Sequence, residues 1–407
     1  MLLLLNFKNF LIRKSMRVDK TKWQKTTIAE IGKIITGATP PTKITAYYNS
    51  ADVCFFKPGD LGNTSITCLD SSEDYISNLG YENSRKLPIG TVLVTCIGII
   101  GKVGITSVLS TCNQQINAII CNENFHNRFI AYNILYNKDY FASKANGPVV
   151  PLINKTTFSQ FVLNVPISIE EQLNIAKELD AIQAMIDGYN AQLHDLDELI
   201  KSIFNDTFGE PISNPKGWDV DILENIVSDD CPITYGIVQP GDDVNEGIPV
   251  VRPVDLIGTY VNKTFLKKVS PEISDSYKRT ILKGNEILIC VRGTTGVVSF
   301  ATEDMKGCNV TRGIVPLSFI RHNKWFMYWC IKSYEMNNLI QKYTKGATLK
   351  QINIKDLRQL PFPTPPLELQ EKFGKQAELI ETQRALLNQQ IYDARNLMAE
   401  RMQYYFS

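Results

Sequence analysis

The chain lacks every short motif by which a sequence usually declares its chemistry. There is no GxxxxGK[ST] phosphate loop, no GxGxxG after a strand, no HExxH and no GxSxG. Nucleotide phosphates, a zinc-protease centre and an elbow serine therefore have no recognisable host. The Asn/Asp-Pro-Pro-Tyr/Phe motif that holds a target base in amino-methyltransferases is missing too; Thr39-Pro40-Pro41 runs on into Thr42 and Lys43. The nine cysteines are odd in number and form no CxxC, and the three histidines, His126, His194 and His322, stand far apart. That spacing excludes a disulfide framework and a zinc module. Free, mostly buried thiols fit a reducing cytoplasm. No run of about 18 apolar residues is present, which excludes a helical membrane span. The opening MLLLLNFKNFLIRKSM has no basic residue before its leucines and no small-residue cleavage site, which argues against a secretory signal, and Met16 offers a second start. Taken together, these absences favour a binding protein over an enzyme.

What is present is a soluble globular composition, with 407 residues, 44% hydrophobic and 21% charged. The length corresponds to about two to three domains. The informative feature is internal repetition at a period of roughly 195 to 199 residues, too long for a solenoid. Trp23 opens WQKTTIAEIGKI and Trp218 opens WDVDILENIV. CFFKPGDL (54–61) matches PVVRPVDL (249–256), and LPIGTVLVTCIGIIG (87–101) matches ILKGNEILICVRGTTG (281–296) with one residue inserted. Cys112-Asn113 answers Cys308-Asn309, and Gly147 through Asn154 answers Gly346 through Asn353. A proline turn follows in each half, NVPISIEEQ (164–172) and FPTPPLELQ (362–370). Ordered matches at a nearly constant offset mean duplication.

Each half begins with short β-branched runs such as TVLVTCIGII and EILICV, broken by Gly, Pro and Asn, which predict strands. NRFIAYNILYNKDYFASK and KWFMYWCIKSYEMNNLIQKY have helical spacing. Each half ends in a long helix. The first opens at Ser168 with Glu171 three residues on, a capping-box pattern. Its apolar seam runs Ile175, Leu179, Ile182, Ile186, Tyr189, Leu193, Leu196, Ile200 and Ile203, a heptad repeat. The second repeats that register at Phe373, Ala377, Ile380, Arg384, Leu387, Ile391, Ala394, Met398 and Arg401, with two polar breaks. Such a helix is roughly 57 Å long at ~1.5 Å per residue. Gly188 offers a kink or a close helix approach. Burying the seams against each other predicts an antiparallel two-helix spacer with pseudo-two-fold symmetry. The expected class is α+β: two tandem mixed α/β domains at 16–166 and 209–366, separated by long coiled-coil helices at 167–208 and 367–407.

Net charge is only +1, but its distribution is uneven. The two domains carry +4 and +2, and the helices −7 and −1. An acidic helix is repelled by phosphate, so it suits a protein partner or solvent.

The repeat, the proline turns and the heptads together resemble the specificity subunit of type I restriction–modification systems. The pieces that carry the resemblance are PKGW (215–218), ITGATPP (35–41), the KPGDL/RPVDL pair, KGATLKQI (345–352) and the turn into Glu170-Glu171-Gln172. The resemblance implies a non-catalytic reader of double-stranded DNA in the cytoplasm. Each globular part would be a target-recognition domain for one half of a split sequence. The helices would space the two and dock two modification subunits, and restriction subunits could join. No cofactor is implied for this chain; S-adenosylmethionine, Mg and ATP would belong to the partners. The first repeat departs from the pattern, with ANGPVVPLI where the second has KGATLKQI, and so loses both basic residues. A coiled-coil adaptor with protein-binding end domains is the alternative; a self-contained methyltransferase or nuclease is disfavoured by the missing motifs.

The DNA-contact candidates follow from side-chain chemistry. Lys57 and Arg252 sit at matching strand ends and suit phosphate or guanine. Gln114 and Gln115 follow one Cys-Asn pair, and Thr311 and Arg312 sit in the corresponding stretch. Arg292, Thr294 and Thr295 lie in a Gly-flanked loop whose backbone could approach phosphate. Lys43, Lys102, Lys350 and Gln351 are further candidates. Each has a bland alternative as a solvated strand end or loop. Gln172, Glu178 and Glu198, flanking the acidic seam, are candidates for partner contact. Asp60 and Asp255 are expected to bond to local turns.

Overall fold

The structure, a computed structural model, describes residues 18–147, 149–346 and 349–407. The two candidate starts, Met1 and Met16, lie outside the described residues, as do Ala347 and Thr348 of the KGATLKQI stretch. The chain divides into two compact units, one of residues up to 191 together with 387–407, the other of 192–386. The division falls inside both long helices, so each unit takes in half of each helix.

The first unit carries β1 (Trp23–Thr27), β2 (Gly32–Thr36), β3 (Val53–Phe56), β4 (Thr67–Leu69), β5 (Tyr75–Ile76), β6 (Val92–Thr95), β7 (Val103–Thr106), β8 (Ser110–Cys112), β9 (Ile116–Cys121) and β10 (Val162–Pro166). Strands β2, β9, β6, β7 and β4 form one sheet in that order, β5, β3 and β8 a second, and β1 pairs with β10. Every residue of β3, β6 and β7 is buried. Continuous apolar runs are what strands covered on both faces require. Helix α1 (Asn127–Tyr136) lies in the same core, with Phe129, Ile130 and Ile134 fully buried. The first long helix, α2 (Ile169–Phe208), then leaves the domain.

The second unit repeats this plan with fewer strands: β11 (Val220–Ile222), β12 (Ile248–Val251), β13 (Lys267–Val269), β14 (Ile287–Cys290), β15 (Val298–Phe300), β16 (Asn309–Val310), β17 (Ile314–Leu317) and β18 (Pro361–Pro363). Strand β12 pairs antiparallel with β13 and parallel with β16, as β3 does with β5 and β8. Strand β14 lies between β15 and β17, as β6 lies between β7 and β9. The pair β11–β18 repeats β1–β10. Two single bridges, Val227 to Phe319 and Tyr260 to Phe300, stand where the first unit has its extra strands β2 and β4. Helix α3 (Lys324–Lys332) follows β17, and the second long helix, α4 (Leu367–Phe406), follows β18.

Backbone hydrogen bonds fix the register of the repeat and correct one match. Leu87 N donates to Ser110 O at 2.9 Å, as Leu282 N does to Cys308 O at 2.8 Å. Ala38 N donates to Cys112 O, and Ile237 N to Val310 O, both at 2.8 Å. Cys112 therefore corresponds to Val310 rather than to Cys308, and Leu87 corresponds to Leu282 with no inserted residue. The Cys-Asn similarity is therefore out of register: Cys112 and Cys308, both buried, occupy different places in the repeat. At the same crossing, a Cβ on Gly37 would stand 2.0 Å from Asn113 O, and one on Gly236 2.1 Å from Val310 O. Only glycine lets the two backbones approach that closely.

The long helices refine the sequence reading. Ser168 Oγ accepts from Glu171 N at 3.3 Å, but the Glu171 carboxylate takes the Trp23 indole N–H at 3.0 Å instead of closing a capping box. In the first unit, Ile175, Ala176 and Leu179 enter the domain core together with Tyr405 and Phe406. Ile182 and Ile186 pack on Ala394 and Leu397. In the second unit, Ile200, Phe204 and Phe208 join Phe373, Ala377 and Ile380 in the domain core. Within each unit the two helices run antiparallel, but the outer parts of the seams are buried on the globular domains as well as on each other. The polar breaks are paired across the helices: Arg401 Nε meets Glu178 at 2.5 Å, and Arg384 meets Asp197. Among the described residues nothing beyond its own stretch of helix backbone lies within 4 Å of the Cβ that Gly188 lacks, so it serves no close approach there, and α2 is continuous through it.

Candidate nucleic-acid interface

In the second unit, the loop after β14 and the stretch before β18 are fastened side by side. Arg292 bridges Gln351, Gly293 N donates to Lys350 O at 2.8 Å, and Ile352 N donates to Val291 O at 3.0 Å. Lys345 and Gln351 exchange two backbone bonds of 2.8 Å. Gly293 (φ 94°) and Gly296 (φ 89°) turn the loop through the left-handed region, which explains the spacing of RGTTG. The first unit builds the same platform. Ile97 bridges Leu152, Gly98 N donates to Pro151 O at 2.9 Å, and Ile153 N donates to Cys96 O at 2.8 Å. Gly98 and Gly101 take the two left-handed places.

The backbones match and the side chains do not. Arg292, Thr294, Lys350 and Gln351 of the second unit stand where the first has Ile97, Ile99, Pro151 and Leu152. The loss of basic residues in the first repeat thus falls at the surface of this platform, where Ile99 is 64% exposed. Beside the second platform lie two residues from other segments. Tyr235 Oη accepts from Gln351 Nε2 at 2.9 Å, and the Arg312 guanidinium lies 5.6 Å over the Tyr235 ring. Arg312 Nε is buried without a hydrogen-bond partner among the described residues. Tyr235 also lines a cleft with Asp275, Lys278 and Arg279. Among the described residues, Lys278, Arg279, Arg292, Arg312 and Lys350 have no carboxylate within salt-bridge distance. Cations left unpaired are what a phosphate backbone attracts.

Several sequence candidates are engaged within the chain instead. Arg252 is held by Asp255 through its backbone N at 2.8 Å, Nε at 3.0 Å and a terminal nitrogen at 2.8 Å. That bond raises the guanidinium pKa above its ordinary value. Lys57 pairs with Asp74 at 2.6 Å, and Lys102 Nζ donates to Pro58 O at 2.9 Å. Thr311 is buried and donates to Val251 O at 3.2 Å; Thr295 is buried against Gln341 and Thr344. Neither threonine faces solvent, because each closes a polar contact inside the platform. Asp60 accepts from Lys57 N at 2.6 Å and Glu73 N at 2.9 Å, the local turn role expected for it and for Asp255.

Gln114 is exposed, and its Oε1 accepts from Thr39 Oγ1 at 2.7 Å; Gln115 bonds Asn113 at 2.9 Å. Backbone register places Gln114, not Gln115, opposite Arg312: Cys96 N donates to Gln115 O as Val291 N does to Gly313 O, both at 2.8 Å. Lys43, Thr294 and Lys350 are exposed. Sequence reading missed Tyr235, Lys278 and Arg279. Arg85, which the sequence reading did not single out, donates to the carbonyls of Thr36 and Gly37 and so is engaged within the first unit. The SYKRT run at 276–280 was the one visible signal.

Two of the three partner candidates are used up within the first unit. Gln172 is fully buried; its Oε1 accepts from His126 N at 2.8 Å, and its Nε2 donates to Pro166 O at 2.9 Å and Asn124 O at 3.1 Å. Glu178 binds Arg401 and accepts from Tyr405 Oη at 2.8 Å. Gln172, fully buried, and Glu178, largely covered, thus satisfy their polar atoms inside the fold. Glu198 is exposed, and its carboxylate pairs with Lys201 at 2.8 Å on its own helix. Among the described residues no cluster of three His, Cys, Asp or Glu could hold a metal, and no helix is long and apolar enough to cross a membrane.

The model of the type I restriction modification DNA specificity domain matches residues 20–196 and again 235–393. The chain is 26% identical over 294 residues to the type I restriction enzyme EcoBI specificity subunit of Escherichia coli, covering 65% of this chain and 61% of that one. It is 24% identical over 381 residues to the MjaIX specificity subunit of Methanocaldococcus jannaschii, covering 86% and 85%. Its fold is similar to that of a type I restriction-modification S subunit from M. genitalium, with a TM-score of 0.60 at 13% identity over 96% of this chain and 97% of that one. A second solved chain, from a study of complex assembly in the type I R-M system, gives 0.56 at 16% identity over 94% and 97%.

Proposed function

The chain belongs to the type I restriction modification DNA specificity family, and we propose from this that it is the non-catalytic subunit that selects the DNA sequence on which such a complex acts. Each unit reads one half of a bipartite duplex target. The long helices set the distance between the halves and dock two methyltransferase subunits, with Glu198 on the docking face. Restriction subunits join that assembly. S-adenosylmethionine, Mg and ATP are bound by those partners, in the cytoplasm, and this chain supplies recognition alone.

The observation that carries the reading is the duplicated platform of two fastened loops. It recurs with the same backbone bonds in both units yet presents different side chains. A conserved frame with exchanged tips is what two independent readers of two different half-sites require, because phosphate contacts position a protein while base contacts specify. Lys278, Arg279 and Lys350 supply phosphate contacts in the second unit, with Lys43 in the first; Gln114, Arg292, Thr294, Arg312 and Gln351 supply base contacts.

The test exchanges residues 23–166 for the first unit of another family member and maps methylated sites made by the assembled complex. One half of the motif should change and the other remain. A change in both halves would contradict independent reading, and methyl transfer by the purified chain alone would contradict the non-catalytic assignment.

A further inference from the structure

We propose that Tyr235 is a specificity-positioning residue that holds the Gln351 amide ready for a base edge, with adenine as its complement. The inference rests on the DNA-reading function proposed above and names one recognition element within it. Three side chains from three distant segments meet at this point, and each is rooted in rigid backbone. Gln351 is pinned by its two backbone bonds to Lys345, both 2.8 Å. Tyr235 precedes Gly236, whose close approach to Val310 admits no Cβ, and Ile237 N donates to Val310 O at 2.8 Å. Arg312 N donates to Ile237 O at 2.7 Å.

The hydrogen-bond inventory of the amide then decides what it reads. An amide offers two N–H donors and two carbonyl lone pairs. Tyr235 Oη takes one N–H at 2.9 Å. Among the described residues, one N–H and the carbonyl of Gln351 remain without a partner. That donor–acceptor pair complements N7 and the N6 amino group of adenine in the major groove. The bond also removes rotamer freedom that the glutamine would otherwise lose on binding, which is the value of preorganisation. Arg312, 5.6 Å over the same ring, is held alongside for a neighbouring guanine or phosphate. In the first unit the matching places are Thr36 and Leu152, so this device is absent there. At the position of Arg312 that unit has Gln114, an exposed amide whose carbonyl accepts from Thr39 Oγ1 at 2.7 Å. The two half-sites are therefore read by different polar chemistry.

The test uses the full chain in its assembled complex and three variants: Tyr235→Phe, Gln351→Leu (the residue found in the first unit) and both together. Methylation rates are measured on duplexes in which each position of the second half-site is varied in turn. Tyr235→Phe keeps the ring beneath Arg312 and removes only the hydroxyl. Discrimination should fall about tenfold at a single A·T position, the scale of one bidentate base contact. Other positions and the first half-site should keep their discrimination. Gln351→Leu should lose more at the same position, and the double variant no more than Gln351→Leu, as a coupled pair requires. Unchanged discrimination in Tyr235→Phe, equal weakening on all sequences, or additive losses in the double variant would each overturn the proposal while leaving the DNA-reading function in place. A wild-type complex that methylates all sequences equally would overturn both.

Discussion

Gln172 and Gln370 do the same work in the two units. Gln370 Oε1 accepts from Asn323 N at 3.0 Å, and its Nε2 donates to Pro365 O at 2.8 Å, repeating the bonds of Gln172. Each glutamine ties the first turn of a long helix to the loop before a domain helix. Replacing Gln172 with Leu keeps the size and strands buried partners, at a cost of about 1–3 kcal/mol for each group left unsatisfied. Urea unfolding should show that loss, whereas Glu198→Ala should change stability by no more than about 0.5 kcal/mol, as exposed sites do. The thiols give a second prediction. Cys68 is exposed and the other eight cysteines are buried or half-buried. At pH 8, Ellman's reagent should therefore modify Cys68 first and the rest only as the chain opens. Burial pushes Cys96, Cys112 and Cys121 up to about 12. Unfolded thiols ionise near about 8.5, so between there and about pH 12 the unfolded state holds fewer protons than the folded one. Stability is thus complete below that window and falls as pH rises through it. Thermal melts taken from pH 7 to 10 should shift downward above pH 9.

At the scale of elements, the polar breaks in the second heptad seam are the parts that fix register. Arg401 and Glu178 are 14% and 11% exposed, and Tyr405 Oη closes the cluster on Glu178 at 2.8 Å. A stripe of Leu and Ile alone would tolerate a slipped pairing; a buried charge has one place where it is satisfied. Arg401→Ala should cost about 3–5 kcal/mol, because it leaves the largely buried Glu178 carboxylate without its counter-charge and with the neutral Tyr405 hydroxyl as its remaining partner in this cluster. The double variant Glu178→Gln/Arg401→Met should recover most of that loss, since no uncompensated charge remains. Chemical denaturation of the three proteins measures both values, and an Arg401→Ala loss under 1 kcal/mol would show that water reaches Glu178.

For the whole molecule, the proposed function makes the helices a ruler. Four residues inserted after Asn190 in α2 and four after Gln390 in α4 lengthen both strands of the spacer by about 6 Å at ~1.5 Å per residue. That is somewhat under two base pairs at ~3.4 Å each. Methylation mapping should return the same two half-sites with one or two more unread base pairs between them. Altered base preference at unchanged spacing would show that the helices do not measure the target.

The duplication, the mixed α and β content and both long helices were legible in the sequence, and for a physical reason. Each depends on local periodicity or on a repeated order of turn residues, which the chain carries residue by residue. Charge segregation between domains and helices was legible on the same terms. Tertiary structure alone decided which candidates are free. Lys57 and Arg252 look alike beside KPGDL and RPVDL, yet Asp74 and Asp255 neutralise them. Gln172 reads as a polar flank of a seam, yet His126 and Asn124, more than forty positions away, make it part of the core. Tyr235 stands 116 residues from Gln351 and carries no motif of its own. Whether a polar side chain is available to a ligand depends on every neighbour that folding brings within about 3 Å, and that neighbourhood is not written in the spacing of any one segment.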